Sequence, residues 1–180
     1  ESSAEAWYLH KFDFVEIGFF LHNLILCSLI LARRQHLAMD KNVFHQCIAL
    51  AAFLSGMFFI KVKPLSMTML RISQGIILTA IALGIVSMLN LGRSFGILIS
   101  VRKIKTRGVY GIIRHPMYFV DILWRSGIVM KNPAPYNIVI FAASSAAYVY
   151  RALLEEKFLK KYREYQEYMS RVRYRFIPGV

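Results

Sequence analysis

Long apolar runs separated by short basic loops set the pattern of this chain. The first covers roughly residues 12–32, is broken by Asp13 and Glu16 near its start and by His22-Asn23 in its middle, and stops at Arg33-Arg34. The second covers 43–60 and closes on Lys61, Lys63 and Pro64; the third covers 72–91 and ends at Gly92-Arg93. Each is about 18–21 residues, enough to cross a bilayer at about 1.5 Å per residue. Residues 92–116 then turn polar, basic and rich in glycine. Residues 117–130 form a run too short to span upright, Asn132-Pro133-Ala134-Pro135 is a turn signal, and 136–154 is a returning helix. Segment 155–180 is charged, with Tyr162, Tyr165 and Tyr168 spaced three apart, and predicts an amphipathic helix lying on the surface.

The pattern predicts an all-α integral membrane protein. It would have about five membrane helices, three spans plus a helical hairpin, and a C-terminal surface helix. The whole of 1–180 is expected to be one membrane domain: 1–91 the spans, 92–180 the loop, hairpin and last helix. Composition agrees, with 57% apolar residues against about 45–50% in soluble proteins.

Net charge is +13. In a soluble protein such a balance suggests nucleic acid. Here the charge sits in loops and the tail, so a bilayer with anionic headgroups is the expected partner and nucleic acid is not. The loop after the first run, the loop at 92–116 and the tail are all basic. The opposite side carries Lys11, Lys61, Lys63 and Arg71 against Glu1, Glu5, Asp13 and Glu16. A multi-pass protein with its N-terminus outside and its loop and C-terminus cytoplasmic follows from that asymmetry. Cys27 and Cys47 lie in apolar runs and are expected as two buried thiols. The histidines show no metal-ligand spacing, so no metal site is expected. The sequence points to no protein partner.

Candidate chemistry gathers around Arg114-His115-Pro116-Met117-Tyr118. Pro116 suits the first turn of a helix, whose free N–H groups favour an anion. Tyr118 stands about one turn in, on the face of His115. Glu155-Glu156 stand at the exit of the returning helix, and a hairpin brings its two ends together, so Glu155 should approach Tyr118. Arg151 lies one turn deeper, and an arginine at membrane depth is a functional candidate. Asp121 and Arg125, four apart, should pair.

Gly108-Val109-Tyr110, Arg114-His115-Pro116-Met117-Tyr118, Gly127, Arg151, Glu155-Glu156, Tyr165, Tyr168 and Phe176-Ile177-Pro178 together resemble the isoprenylcysteine carboxyl methyltransferase family. That family belongs to a wider superfamily with the phospholipid methyltransferases. The resemblance implies S-adenosylmethionine as cofactor. It implies a grip by Arg102, Lys103, Ile104 and Lys105, by Tyr110, by His115, Pro116, Met117 and Tyr118, and by Glu155. It puts the family's substrate-side arginine, the expected catalytic residue, on Arg151, with Arg114 and Arg171 in reserve. The implied acceptor is the carboxylate of an isoprenylcysteine-type amphiphile entering from the membrane. The alternatives are a phospholipid amine N-methyltransferase, an NADPH-dependent membrane reductase and a non-enzymatic adaptor on the same fold.

Overall fold

The computed structural model describes residues 14–62 and 66–179. The described residues form six α-helices: α1 Phe14–Leu31, α2 Val43–Leu54, α3 Met67–Leu91, α4 Pro116–Lys131, α5 Pro135–Leu159 and α6 Arg163–Arg171. A short antiparallel pair, β1 (Ala38–Met39) and β2 (Ser100–Val101), joins the two basic loops. The fold is an all-α membrane architecture, as the hydropathy pattern predicts. Asp13, Lys63 and Pro64, and the terminal charges used for orientation, lie outside the described residues.

Among the described residues three segments are long and apolar enough to cross a membrane: Phe14–Leu31, Met67–Ser94 and Pro135–Leu159. They are not the three expected from the apolar runs. The run at 43–60 is a helix only to Leu54, then a 3-10 turn over Ser55–Phe58 and extended chain from Phe59. The break has a cause. Arg125 Nη2 donates to Ala52 O (3.3 Å) and Ser55 Oγ (3.1 Å), and a Cβ added at Gly56 would lie 3.2 Å from the Trp124 ring and 3.3 Å from Arg125 Nη2, a tight fit. The helix opens where α4 docks. The returning helix, by contrast, runs past residue 154 to Leu159, so both glutamates stand inside it.

Packing follows small residues. At Gly127 of α4 an added Cβ would lie 2.7 Å from Ile77 Cγ1 and 3.3 Å from Ser73 O, so glycine lets α3 and α4 approach closely. No residue of α1 is buried, as expected for a helix facing lipid along most of its surface. That also corrects the thiols: Cys27 and Cys47 are both exposed. In a membrane protein an apolar run can face lipid instead of a protein core.

The basic segments converge at one end of the bundle. Arg34 N donates to Arg93 O (2.8 Å), Arg93 Nε to Ala32 O (2.8 Å), and Leu37 N to Val101 O (2.8 Å). At the other end Asn137, fully buried, pins the α4–α5 turn to the exit of α2. Its Oδ1 accepts from Ile60 N (3.0 Å), and its Nδ2 donates to Ile60 O (2.9 Å) and Asn132 O (2.8 Å). Asn137→Ala leaves these buried backbone groups unsatisfied. It should cost about 1–3 kcal/mol, read as a lowered thermal midpoint in detergent.

Candidate active site

A cavity of about 180 Å³ opens where the loop after α3 meets α4, α5 and α6. Its outer wall is basic and aromatic, with Arg102, Lys103, Lys105, Tyr110, Tyr165 and Tyr168. Its inner wall is mostly apolar and reaches Leu26 of α1 and Phe53 of α2. Of the residues singled out from the sequence, Arg102, Lys103, Ile104, Lys105 and Tyr110 line it. So do His115, Met117, Tyr118, Arg151 and Glu155. Pro116 does not. It is buried at the first position of α4, where its missing N–H leaves no gap in the helix.

The two glutamates divide the work. Adjacent residues on a helix point about 100° apart. Glu155 faces the cavity and accepts a hydrogen bond from the Tyr118 hydroxyl. Glu156 points away and is buried at 2% exposure. It accepts from Arg114 Nε (2.9 Å), Arg175 Nε (3.1 Å) and Arg175 Nη2 (2.9 Å), and His115 Nε2 lies 3.2 Å away. Sequence reasoning singled out the pair but gave the structural role to neither, and it missed Arg175 altogether. Both depend on a tertiary return of the chain. Residues 172–175 come back beneath the loop, where Arg114 N donates to Tyr174 O and His115 N to Arg175 O, both at 2.9 Å. Arg114 Nη1 completes the latch by donating to Val172 O (2.8 Å) and Arg173 O (2.6 Å).

The aromatic wall is ordered by stacking and cation–π contact. The His115 and Tyr118 rings stack at 5.2 Å and 10°. The Arg151 guanidinium lies 4.8 Å from the Tyr118 ring centre. Arg151 is 4% exposed and donates to Ala49 O (3.2 Å) and to Ile97 O, tying α2 and the loop to α5. It both lines the cavity and braces its walls. Burial, with the nearby Glu155 carboxylate, pushes the Tyr110 phenol well above its usual range. Burial does the same for Tyr165 and Tyr168. These hydroxyls therefore stay protonated, and Tyr168 donates to Tyr110 O (2.7 Å).

The tail helix is amphipathic, as expected, with its polar face exposed and its tyrosine face turned to protein. Tyr165 and Tyr168 are not an interfacial belt; they pack with Val101, Leu159 and Val172 in a core cluster that closes the outer wall. Asp121 and Arg125 do meet, at 3.4 Å between Oδ1 and Nη1. Asp121 also lines the cavity beside His22 of α1, a placement that the alternation of apolar residues did not reveal.

Removing Glu156 leaves buried cations without their partner. Glu156→Ala should cost about 3–5 kcal/mol and expose residues 172–176 to protease. Thermal unfolding and limited proteolysis in detergent would read both effects.

Residues 65–166 match the phospholipid methyltransferase family. The chain is 30% identical over 155 residues to Protein-S-isoprenylcysteine O-methyltransferase B of Arabidopsis thaliana, covering 82% of this chain and 75% of the relative. It is also 36% identical over 85 residues to Delta(14)-sterol reductase of Mus musculus, a partial match covering 44% of this chain and 20% of that protein. The family match takes in the loop and hairpin that build the cavity, and the chain belongs to the membrane methyltransferase family that includes the phospholipid and isoprenylcysteine methyltransferases, enzymes of lipid-like acceptors.

Proposed function

We propose that this membrane methyltransferase uses S-adenosylmethionine and methylates the carboxylate of an isoprenylcysteine-type amphiphile. One observation carries the reading: a single cavity joins a basic, polar wall carrying Glu155 to an apolar wall carrying Arg151. A polar cofactor and a greasy acceptor need such a two-sided site. The name of the Arabidopsis relative favours a carboxylate over an amine acceptor.

The residues present fit the cofactor. Glu155 offers an acceptor for ribose hydroxyls or an ammonium. Arg102, Lys103 and Lys105 offer cations for a carboxylate, and Tyr110 and Tyr118 offer aromatic faces. Gly96 is part of this cradle, because a Cβ there would overlap the Arg102 guanidinium. That guanidinium is held by Ser100 Oγ and by Arg34 O (3.2 Å). Ile104 packs on the cluster of Leu159, Tyr165 and Tyr168, so it braces the loop between its two lysines. His115 and Met117 line the same cavity, and Pro116 sets the start of α4 behind them.

S-adenosylmethionine supplies an electrophilic methyl group when bound. The protein's part is proximity and orientation, which by themselves lower a bimolecular barrier substantially. Arg151 orients the acceptor carboxylate by charge-assisted hydrogen bonding. A carboxylate is already ionised at neutral pH, so no general base is required. The walls exclude water, and the amphiphile enters sideways from the bilayer. The basic end faces the cytoplasm, where it rests on anionic headgroups.

S-adenosylhomocysteine should raise the thermal midpoint of the detergent-solubilised protein, and NADPH should not. The reverse outcome would sink the reading in favour of the reductase chemistry named for the mouse relative. Glu155→Ala should abolish the S-adenosylhomocysteine shift. Arg151→Lys should keep it and lower turnover by about 10–100-fold, the worth of one charged hydrogen bond. Labelled methyl should appear as a base-labile ester.

A further inference from the structure

The cavity stops one helical turn short of an aromatic plug. Its inner lining includes His22 of α1, Phe53 of α2 and Asp121 of α4. Three residues farther from the basic end stand Phe19 on α1, Gly56 in the turn after α2, and Trp124 on α4. α1 runs toward the basic end, while α2 and α4 run away from it, so the three steps point the same way. Residues three apart share a helix face. All three walls therefore meet the plug at one level, just beneath the inner lining.

The plug is closely built. The Phe19 and Trp124 rings stack with centres 5.8 Å apart and planes at 10°. A Cβ at Gly56 would lie 3.2 Å from Trp124 Cζ3 and 3.7 Å from Cη2. The half-buried indole thus bridges from the lipid-facing α1 to the end of α2. It is braced as well. Arg125 Cζ lies 5.6 Å from its ring centre, while the same guanidinium holds Ala52 O and Ser55 Oγ. α1 is seated on α3 to either side of Phe19, where Gly18 lies against Ile81 and His22 against Gly84. A braced pair of rings at the end of an apolar wall suits the far end of a hydrocarbon chain.

The depth available is short. Arg151, which orients the acceptor's carboxylate, lies over the Tyr118 ring. From Tyr118 to Trp124 is about 9 Å of helix rise, less than the length of an extended farnesyl chain. A chain running inward from that headgroup ends on the indole. We infer that Trp124, held by Phe19 and Gly56, is the floor of the acceptor site and sets the longest apolar chain that the protein takes up; this deepens the methyltransferase reading and rests on it for the headgroup alone. Trp124 is then a specificity-determining residue, and chain length is what it reads.

The test is binding of a homologous series to protein in nanodiscs holding S-adenosylhomocysteine. The probes are N-acetylcysteine carrying prenyl, geranyl, farnesyl or geranylgeranyl on sulfur. Affinity is expressed per lipid, so that partitioning into the bilayer cancels. Chains that fit should bind alike, because lipid and an apolar wall are similar surroundings. The first chain that reaches the floor should bind at least about tenfold more weakly, because it overpacks a braced site. Trp124→Ala should close most of that gap by admitting the longer chain. A series with no drop in native protein would overturn the inference. So would an undiminished gap in the variant, or an equal loss for every chain. If Trp124→Ala loses its cooperative melt, Phe19→Ala on the lipid-facing helix should narrow the gap in its place; an unchanged gap there overturns the inference. Binding of none of the acids would defeat the carboxylate reading instead. The same four chains on phosphoethanolamine then decide: a drop that the variant removes keeps the floor, and no drop, or no binding, ends it.

Discussion

A buried carboxylate with three cationic or imidazole partners holds the working end of this protein together. Glu156 sits at the end of a membrane helix and draws in Arg114, His115 and Arg175, from two other stretches of chain. An ion buried this deeply is stable only when its hydrogen bonds are nearly complete. That demand is specific. It sets the rotation of α5 and the path of the loop before α4. It also fixes the return of the C-terminal segment beneath that loop. Once Glu156 is satisfied, the next residue along the helix has no choice of face. Glu155 must point into the cavity, where Tyr118 meets it.

The rest of the bundle solves a related problem at membrane depth. Arg125, Arg151 and Asn137 are all buried, and none is left to lipid. Arg125 and Arg151 donate to backbone carbonyls where helices end or loops begin, and each lies 4.8 Å from a tyrosine ring, Tyr148 and Tyr118 respectively. Such pairing offsets much of the cost of taking a guanidinium out of water. It also explains the shortened α2: the helix stops where its carbonyls are wanted by Arg125. Polar anchoring and close glycine contacts between α3 and α4 together leave a void at one end of the bundle.

That void has two kinds of wall because it lies between two kinds of chain. The loop after α3 and the helix α6 bring cations and tyrosines; α1 and α2 bring aliphatic and aromatic side chains. The tyrosines look interfacial in sequence, yet they are buried against the loop they help to close. Tyr168 secures that closure through the Tyr110 carbonyl. The amphipathic surface helix thus also serves as the outer wall of the site.

Hydropathy by itself determined the class of this protein, because runs of that length and apolarity have no stable place outside a bilayer. The order of Arg-His-Pro-x-Tyr and a glutamate pair carried the resemblance to the family, and the hairpin reading brought those residues together. Sequence alone brought Glu155 to Tyr118 but gave Glu156 no partners, because Arg175 reaches it only through the return of the tail. It placed Cys27 and Cys47 inside, because apolar surroundings read the same whether they are protein or lipid. It ran α2 through to residue 60, because the carbonyl demand of Arg125 comes from far along the chain. Tertiary structure decided these matters, and the meeting of His22 and Asp121 at one cavity. Each rests on contacts between distant segments, and local pattern carries no record of them.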